Sequence, residues 1–278
     1  MTQSDKQEIK VAILDLYDGI ENEGIRGFEE ILGRYKPNHG LSLSYKIFDV
    51  RKKCEIADSG FDIYLSSGGP GSPLDSEGSE WEKKYFSLID ELEAHNLSDN
   101  PRKKYVFFVC HSFQLMCRKH KLGHVNERRS TSFGILPVHK TSAGKKDIVF
   151  EGLADPFYAV DSREWQVIHP NEKRFTDLGM QLLAIEKERP HINAPRAMMA
   201  IRFSEYFFAT QFHPEADAQG MKLLLARPEE KKEVVDEHGL DKYNQMLEYL
   251  EDEDKLNRTQ NTMIPNFLDE AVKGLQSS

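Results

Sequence analysis

Short, nearly continuous runs of hydrophobic residues alternate with amphipathic segments in the first half of the chain. The strand-like runs are residues 10–16, 43–50, 61–66 and 105–110. Between them, hydrophobic residues recur at helical spacing, from Ile25 to Leu32 and again from Trp81 to Leu92. Strands that alternate with helices are typical of βαβ units. The pattern therefore predicts an α/β fold with a central, mostly parallel sheet flanked by helices.

After about Ser130 the pattern changes to short β-like runs with few helical stripes between them. These runs are residues 133–139, 148–150, 157–161, 165–168, 181–186, 197–203 and 206–212. Closely spaced strands without crossover helices cannot pair in parallel, because a parallel connection needs a dozen or more residues. We expect this half of the sheet to be antiparallel or mixed.

The last part of the chain, residues 227–278, has helical periodicity and carries a net charge of −6. Its two apolar stripes are Tyr243, Met246, Leu247 and Leu250, and then Phe267, Leu268 and Val272. We predict two parts, residues 1–226 and an acidic helical extension of residues 227–278. An amphipathic helix must bury its apolar stripe, either on the core of the chain itself or on a partner or second copy of the chain.

Composition narrows the class of protein. The 278 residues are 39% hydrophobic and 30% charged, with a net charge of −9, which disfavours binding to nucleic acid because phosphates attract Lys and Arg. No run approaches the roughly 20 apolar residues that span a membrane, and the polar N-terminus does not resemble a signal peptide. Three cysteines do not suggest a disulfide framework. We expect a soluble, cytoplasmic protein with no nucleic-acid or membrane partner.

Cys110 lies where an apolar strand changes abruptly into a helical pattern. A side chain at such a turn is exposed above the carboxyl edge of the sheet, and the positive end of the helix dipole stabilises a thiolate. A buried core cysteine is the alternative interpretation.

A second candidate is the segment Gln211–Glu215, with the sequence Gln-Phe-His-Pro-Glu, directly after a strand. Its imidazole has the chemistry of a general base for a thiol, and the carboxylate two residues later can orient the ring. A surface turn is the alternative. The third candidate, the glycine-rich loop Ser66–Pro73, can turn backbone amides toward an anion, or it is an ordinary loop.

Together these segments resemble the class I (triad) glutamine amidotransferases, and in particular the glutaminase part of GMP synthase. The resemblance covers about residues 8–226. It depends on Ser-Gly-Gly-Pro-Gly-Ser-Pro at Ser67–Pro73, Val-Cys-His-Ser-Phe-Gln at Val109–Gln114, and the segment Gln211–Glu215, in the order that the family has. It implies a flavodoxin-like fold and glutaminase activity, with no metal or organic cofactor.

The resemblance also implies a role for each matching residue. Cys110 would attack the side-chain amide of glutamine, His213 would act as general base and acid, and Glu215 would orient the imidazole ring. The product would be glutamate plus ammonia, released through a γ-glutamyl thioester.

Three further residues receive roles from the same match. The backbone amides of Gly69 and His111 would form the oxyanion hole, and Gln114 would help to hold the substrate. Phe108 and Ser112 replace the two glycines of the family motif, which predicts altered packing and makes turnover of glutamine itself an open question. We expect His111 either to influence the thiolate or to face solvent.

Two other functions compete. Ser162–Glu164 resembles, over three residues, a segment of the homoserine O-succinyltransferases, which transfer an acyl group through a Cys/His/Glu triad on the same fold. A non-catalytic scaffold of the same fold is the other alternative.

The sequence has no P-loop, and residues 227–278 are too few for an ATP-using synthetase. We therefore expect either a separate synthetase subunit that accepts the ammonia, or a chain that acts alone on a glutamine-like small molecule.

Overall fold

The computed structural model describes residues 8–190, 193–252 and 254–277. Within these residues one nine-stranded sheet is flanked by nine α-helices and two short 3-10 helices. The strands are β1 (Ile9–Asp15), β2 (Leu43–Asp49), β3 (Ile63–Ser66), β4 (Tyr105–Val109), β5 (His124–Lys140), β6 (Phe157–Ile168), β7 (Gln181–Glu186), β8 (Met198–Arg202) and β9 (Phe207–Thr210).

The helices occupy the connections of the first half and the C-terminal part. They are α1 (Glu23–His39), α2 (Glu80–Leu97), α3 (His111–His120), α4 (Glu172–Leu178), α5 (Ala218–Leu225), α6 (Pro228–His238), α7 (Leu240–Glu251), α8 (Leu256–Gln260) and α9 (Met263–Gln276).

The sheet has a parallel half and an antiparallel half, and its strand order is β2-β1-β3-β4-β9-β8-β7-β5-β6. The first five strands in this order are parallel to one another. The remaining pairs are antiparallel. The predicted α/β fold with flanking helices is confirmed, and the change from parallel to antiparallel pairing falls where the sequence pattern changes.

Four of the parallel strands, β1, β3, β4 and β9, are buried on both faces, which explains why their sequences are nearly continuous hydrophobic runs, whereas the edge strand β2 has exposed residues. Successive residues point to opposite faces: Tyr105 and Phe107 lie in the cluster that α1 and α9 cover, whereas Val106 and Phe108 lie in the cluster that α2 and α3 cover. All five residues of β4 are buried. The strand that leads to Cys110 is therefore held firmly on both sides.

The C-terminal helices pack against the rest of the chain. Met246 and Leu250 of α7 share a hydrophobic cluster with Ile135 and Val160 of the antiparallel strands. In α9, Phe267 is completely buried against Phe107 of β4, with ring centroids 5.2 Å apart. The predicted boundary between residues 226 and 227 stays a prediction, and the segments on its two sides share hydrophobic clusters.

Two strand predictions are wrong. Residues 148–150 form a 3-10 helix, because the Asp147 carboxylate accepts the Val149 N–H and caps a turn there. The two runs at 157–161 and 165–168 belong to one strand, β6, because the intervening polar residues continue the pairing with β5. No helix among the described residues combines the length and the apolar character that a membrane span requires.

Neighbouring residues of α7 test how this helix packs. Met246 is fully buried and Leu247 is 37% exposed. We expect Met246→Ala to lower the free energy of unfolding by about 2–5 kcal/mol, because it removes a buried side chain and leaves a cavity. Leu247→Ala, the matched control, should change it by about 0.5 kcal/mol or less. Urea unfolding of both variants measures the difference, and equal losses would contradict this packing.

Candidate active site

Cys110 connects β4 to α3 in a backbone conformation that residues other than glycine rarely adopt. Its φ is 49° and its ψ is −97°, a conformation that costs about 1–3 kcal/mol and concentrates at functional sites. Two hydrogen bonds hold it: the Cys110 N–H donates to Thr210 O at 2.7 Å, and its carbonyl accepts the Gln114 N–H at 3.0 Å. The thiol is thus fixed between the end of β4 and the first turn of α3.

The two residues that replace the expected glycines are both accommodated. The Ser112 hydroxyl accepts the Val109 N–H at 2.8 Å and lies 3.0 Å from Ser66 O. It therefore links the ends of β3 and β4 beneath the turn. Phe108 points away from the turn, is completely buried, and packs edge-on against Phe203 and Phe207.

His213 and Glu215 form an ion pair at the end of β9. His213 Nδ1 lies 2.7 Å from Glu215 Oε1, and Glu215 is fully buried. The His213 N–H donates to Val160 O at 2.8 Å, which ties this segment to β6. Because Nδ1 contacts the carboxylate, the opposite ring nitrogen is the one available to a second group.

The charges around His213 favour its protonated form. Burial alone lowers the pKa of His213, but the charges of Glu215 and Cys110, together with hydrogen bonds to both, outweigh it and raise this pKa well above its usual value. An imidazolium beside a sulfur atom stabilises the thiolate. His213 thus interacts with Cys110 on one side and with Glu215 on the other.

The glycine-rich loop approaches Cys110 and His213 closely. A methyl group on Gly68 would lie 2.9 Å from His213 Cε1 and 3.4 Å from Cys110 Cβ, and one on Gly69 would lie only 2.3 Å from Leu16 O. A side chain at either position would displace the loop. Glycine is required at both positions because of this close approach.

Two arginines hold this loop from behind. Arg51 donates to Pro70 O at 2.7 Å, and Arg118 donates to Pro73 O. His111 lies near both guanidinium groups and is only 1% exposed, so the second of its two predicted alternatives, that it faces solvent, is wrong. Burial, and then repulsion by Arg51 and Arg118, lower the pKa of His111 to about 3. Its ring is therefore neutral at physiological pH.

Two glutamine side chains connect Cys110 to β6. Gln211 Nε2 lies 3.6 Å from Cys110 Sγ, and its Oε1 accepts a hydrogen bond from Gln114 Nε2 at 3.2 Å. Gln114 also donates to Trp165 O at 3.2 Å. Ser162 O, likewise on β6, lies 3.8 Å from the sulfur.

A buried ionic cluster lies beside Ser162. Its members are Arg128, Asp161, Arg163, Glu186 and Arg189, so three guanidinium groups share two carboxylates. The Arg163 side chain is 1% exposed, and within the described part of the chain its Nη1 has no hydrogen-bond partner. A buried donor without a partner is costly, and the five groups carry a net charge of +1.

A cavity of about 510 Å³ lies beside Cys110. Of the predicted site residues, Gly69, Cys110, Gln114, His213 and Glu215 line it together, whereas the side chain of His111 packs outside the lining. The volume is within the range of small-molecule sites.

Several lining residues were not assigned a role from sequence. Arg163, within the segment Ser162–Glu164, is one of them, and only the fold brings it into one cavity with Cys110. Gln211 lies outside the lining, but its side chain contacts Cys110. Tyr17, which follows β1, and residues of α6 also line the cavity. The signal for Tyr17 was its position after the carboxyl end of a parallel strand, where α/β sheets bind ligands.

The other cysteines lack this environment. Cys117 is fully buried, and burial raises the pKa of its thiol well above the usual value. Cys54 is half-buried. Among the residues that the structure describes, no cluster of His, Cys, Asp and Glu could hold a metal ion.

Comparison with solved structures places this fold among amidotransferases. Similar chains are a glutamine amidotransferase from Thermotoga maritima (TM-score 0.67, 17% identity, covering 96% of this chain and 99% of that one) and a putative GMP synthase subunit from Thermoplasma acidophilum (0.55, 14%, 98% and 99%). The glutaminase domain of Trypanosoma brucei CTPS, with bound acivicin, is also similar (0.57, 13%, 95% and 94%). At these identities the likeness shows the fold alone.

No curated protein sequence matches the chain. The family model for glutamine amidotransferase class-I matches residues 26–227, which include Cys110, His213 and Glu215. The chain therefore belongs to the class-I glutamine amidotransferase family.

Proposed function

We propose that this chain hydrolyses the side-chain amide of glutamine, or of a glutamine-like γ-glutamyl compound, with Cys110 as nucleophile. The observation that carries the proposal is the 2.7 Å pair of His213 and Glu215 beside a thiol held at a strand–helix turn. His213 is the general base and acid, and Glu215 orients it and stabilises its charge.

The reaction proceeds in two balanced halves. The Cys110 thiolate attacks the amide carbon, the C–N bond breaks, and His213 gives its proton to the departing nitrogen, which leaves a γ-glutamyl thioester. Water then attacks the thioester while His213 accepts a proton, and the C–S bond breaks to release the γ-carboxylate and restore the thiolate. No cofactor takes part in either half.

The negative charge that develops on the amide oxygen needs nearby donors. The backbone N–H groups of Gly69 and His111 are the proposed oxyanion hole, since His111 opens α3 and the N–H groups of a first helical turn lack intrahelical partners. Arg51 and Arg118 hold the Gly69 loop in place through Pro70 and Pro73.

Arg163 and Gln114 are the proposed substrate-binding side chains. The free Nη1 of Arg163 fits the α-carboxylate of a glutamyl group, and Gln114 lies in the same cavity lining. The released nitrogen has two destinations. A synthetase subunit takes up the ammonia from glutamine, or, when the substrate is a larger γ-glutamyl amide, the amine is released into solvent.

An assay of the purified chain tests the triad. With glutamine as substrate, Cys110→Ala and His213→Ala should each lower kcat/KM by about a thousandfold or more, Glu215→Gln should lower it less, and the double alanine variant should be little worse than either single one. His169→Ala is the matched control, because this exposed histidine also precedes a proline but lies outside the cavity lining.

A parallel assay with acyl-CoA and homoserine as substrates tests the acyltransferase alternative. Inactivity of the chain in both assays would favour the non-catalytic scaffold.

Covalent labelling tests whether Cys110 is the reactive thiol. A glutamine-like diazoketone should alkylate Cys110 and leave Cys54 and Cys117 unmodified, because only Cys110 lies in the cavity beside an imidazolium. Peptide mapping by mass spectrometry measures the distribution of label. Label spread evenly over the three thiols would remove the basis for the assignment.

The raised pKa of His213 predicts how activity depends on pH. As the pH rises through this pKa, His213 loses the proton that the departing nitrogen needs, so kcat/KM should fall only at a pH well above the usual histidine range. Because the Glu215 charge helps to raise this pKa, Glu215→Gln should move the alkaline limb to lower pH. A pH profile of both proteins checks this, and an unmoved limb would argue that Glu215 does not act on His213.

A further inference from the structure

One wall of the cavity is the first helix after the family core, α6. The lining residues on this helix and its preceding turn are Arg227, Glu230, Glu233, Val234, Glu237 and His238. They recur at intervals of three and four residues, which is the spacing of one helix face. These residues therefore form one continuous face of α6, and this face lines the cavity.

This face is anchored to the site. Val234 is 4% exposed and shares a hydrophobic cluster with Val160 and Met221, which also line the cavity. Val160 in turn accepts the backbone N–H of His213. Helix α6 is thus held against the same cavity as Cys110, His213 and Glu215. Glu230 is half-buried in the lining, whereas Glu233 and Glu237 are exposed parts of it.

The carboxylates of this wall, Glu230, Glu233 and Glu237, outnumber its one arginine, Arg227. Within residues 8–190, 193–252 and 254–277, neither Glu230 nor Glu233 forms an ion pair, and Glu237 contacts only His238, at 3.6 Å. Glu21 and Glu164, elsewhere in the lining, also lack an ion pair in that part of the chain. Unpaired carboxylates along a cleft focus a negative potential inside it.

The inner part of the cavity carries positive charge. There the fully buried Arg163 has a free Nη1, and it belongs to the cluster with an excess of guanidinium groups. A ligand that satisfies both regions has an anionic group and, elsewhere in the same molecule, a cationic group. A cavity of about 510 Å³ also suits a ligand larger than free glutamine.

We propose that the α6 wall selects γ-glutamyl amides whose amine half carries a positive charge. The inference rests on the proposed function: Arg163 holds the glutamyl carboxylate, Cys110 cleaves the same C–N bond, and Glu230 and Glu233 attract the ammonium group of the departing amine. The amine leaves with the proton from His213, and water completes the hydrolysis to glutamate.

Three substrates test the inference with the full chain: glutamine, γ-glutamyl-n-butylamide, and the γ-glutamyl amide of 1,4-diaminobutane. The last two have amine halves of the same carbon chain length and differ in the terminal ammonium group. At low salt we expect kcat/KM to be higher for the cationic amide than for the neutral one, by about twofold to fivefold per carboxylate engaged. The preference should shrink at high salt, because salt screens exposed charges.

A pair of double variants identifies the wall. Glu230→Gln/Glu233→Gln should bring the ratio of the two kcat/KM values close to one, whereas Glu229→Gln/Glu248→Gln, with the same change in net charge but outside the cavity lining, should keep the ratio. Calorimetric binding of the same two amides to Cys110→Ala provides a readout that does not depend on turnover, with the same preference expected.

The possible failures are distinguishable. Hydrolysis of glutamine and both amides without a cationic preference would overturn this inference and leave the proposed function standing. Equal losses on all three substrates in the α6 variant would mean that the wall contacts the glutamyl half, which also overturns it. No hydrolysis of any of the three, with no binding to Cys110→Ala, would overturn both.

Discussion

The conformation of one residue, Cys110, constrains most of the structure around it. A positive φ at a residue with a side chain persists only where its surroundings fix it, and here the parallel half of the sheet does so. Thr210 accepts the Cys110 N–H, the Ser112 hydroxyl joins the ends of two strands beneath the turn, and Gly68 leaves space above it. A serine in place of the expected glycine is tolerated because its hydroxyl makes hydrogen bonds at the turn itself.

The second constraint is the cost of burying charge. Glu215 is inaccessible to solvent, and an unpaired carboxylate there would be very unfavourable. His213 supplies the counter-charge, and the pair raises the pKa of the imidazole. His111 is buried under the opposite condition, between two guanidinium groups, and is therefore neutral. Two histidines near the same cysteine thus differ in charge because their neighbours differ.

The local sequence predicts those strands whose own residues show a clear hydrophobic pattern. The runs that form β1, β3, β4, β8 and β9 are recognisable because buried strands are continuously hydrophobic. The prediction of a strand at residues 148–150 is wrong because a three-residue apolar run has no periodicity. The Asp147 side chain, which caps the turn, determines the conformation there. The predicted site residues Cys110, His213 and Glu215 could be grouped only through motif order, since a hundred residues separate the first two.

What local sequence could not provide was the contribution of β6 and α6 to the cavity. In the strand order β6 is an edge strand, four strands from β9, yet Ser162 and Arg163 reach the cavity with Cys110, and Val160 pairs with His213. Such a contact follows from the path of the whole sheet, and no pattern within residues 157–168 contains it.

The two halves of the sheet consequently contribute different things to the cavity. The parallel half supplies Cys110, the glycine-rich loop and His213, all at carboxyl ends of strands, where side chains of α/β sheets converge. The antiparallel half and the C-terminal helices supply Arg163 and the acidic α6 wall. The first group depends on backbone geometry that few sequences can provide, whereas the second depends on side chains that a single substitution can change. The cavity lining can therefore change through β6 and α6 without disturbing the turn that holds the thiol.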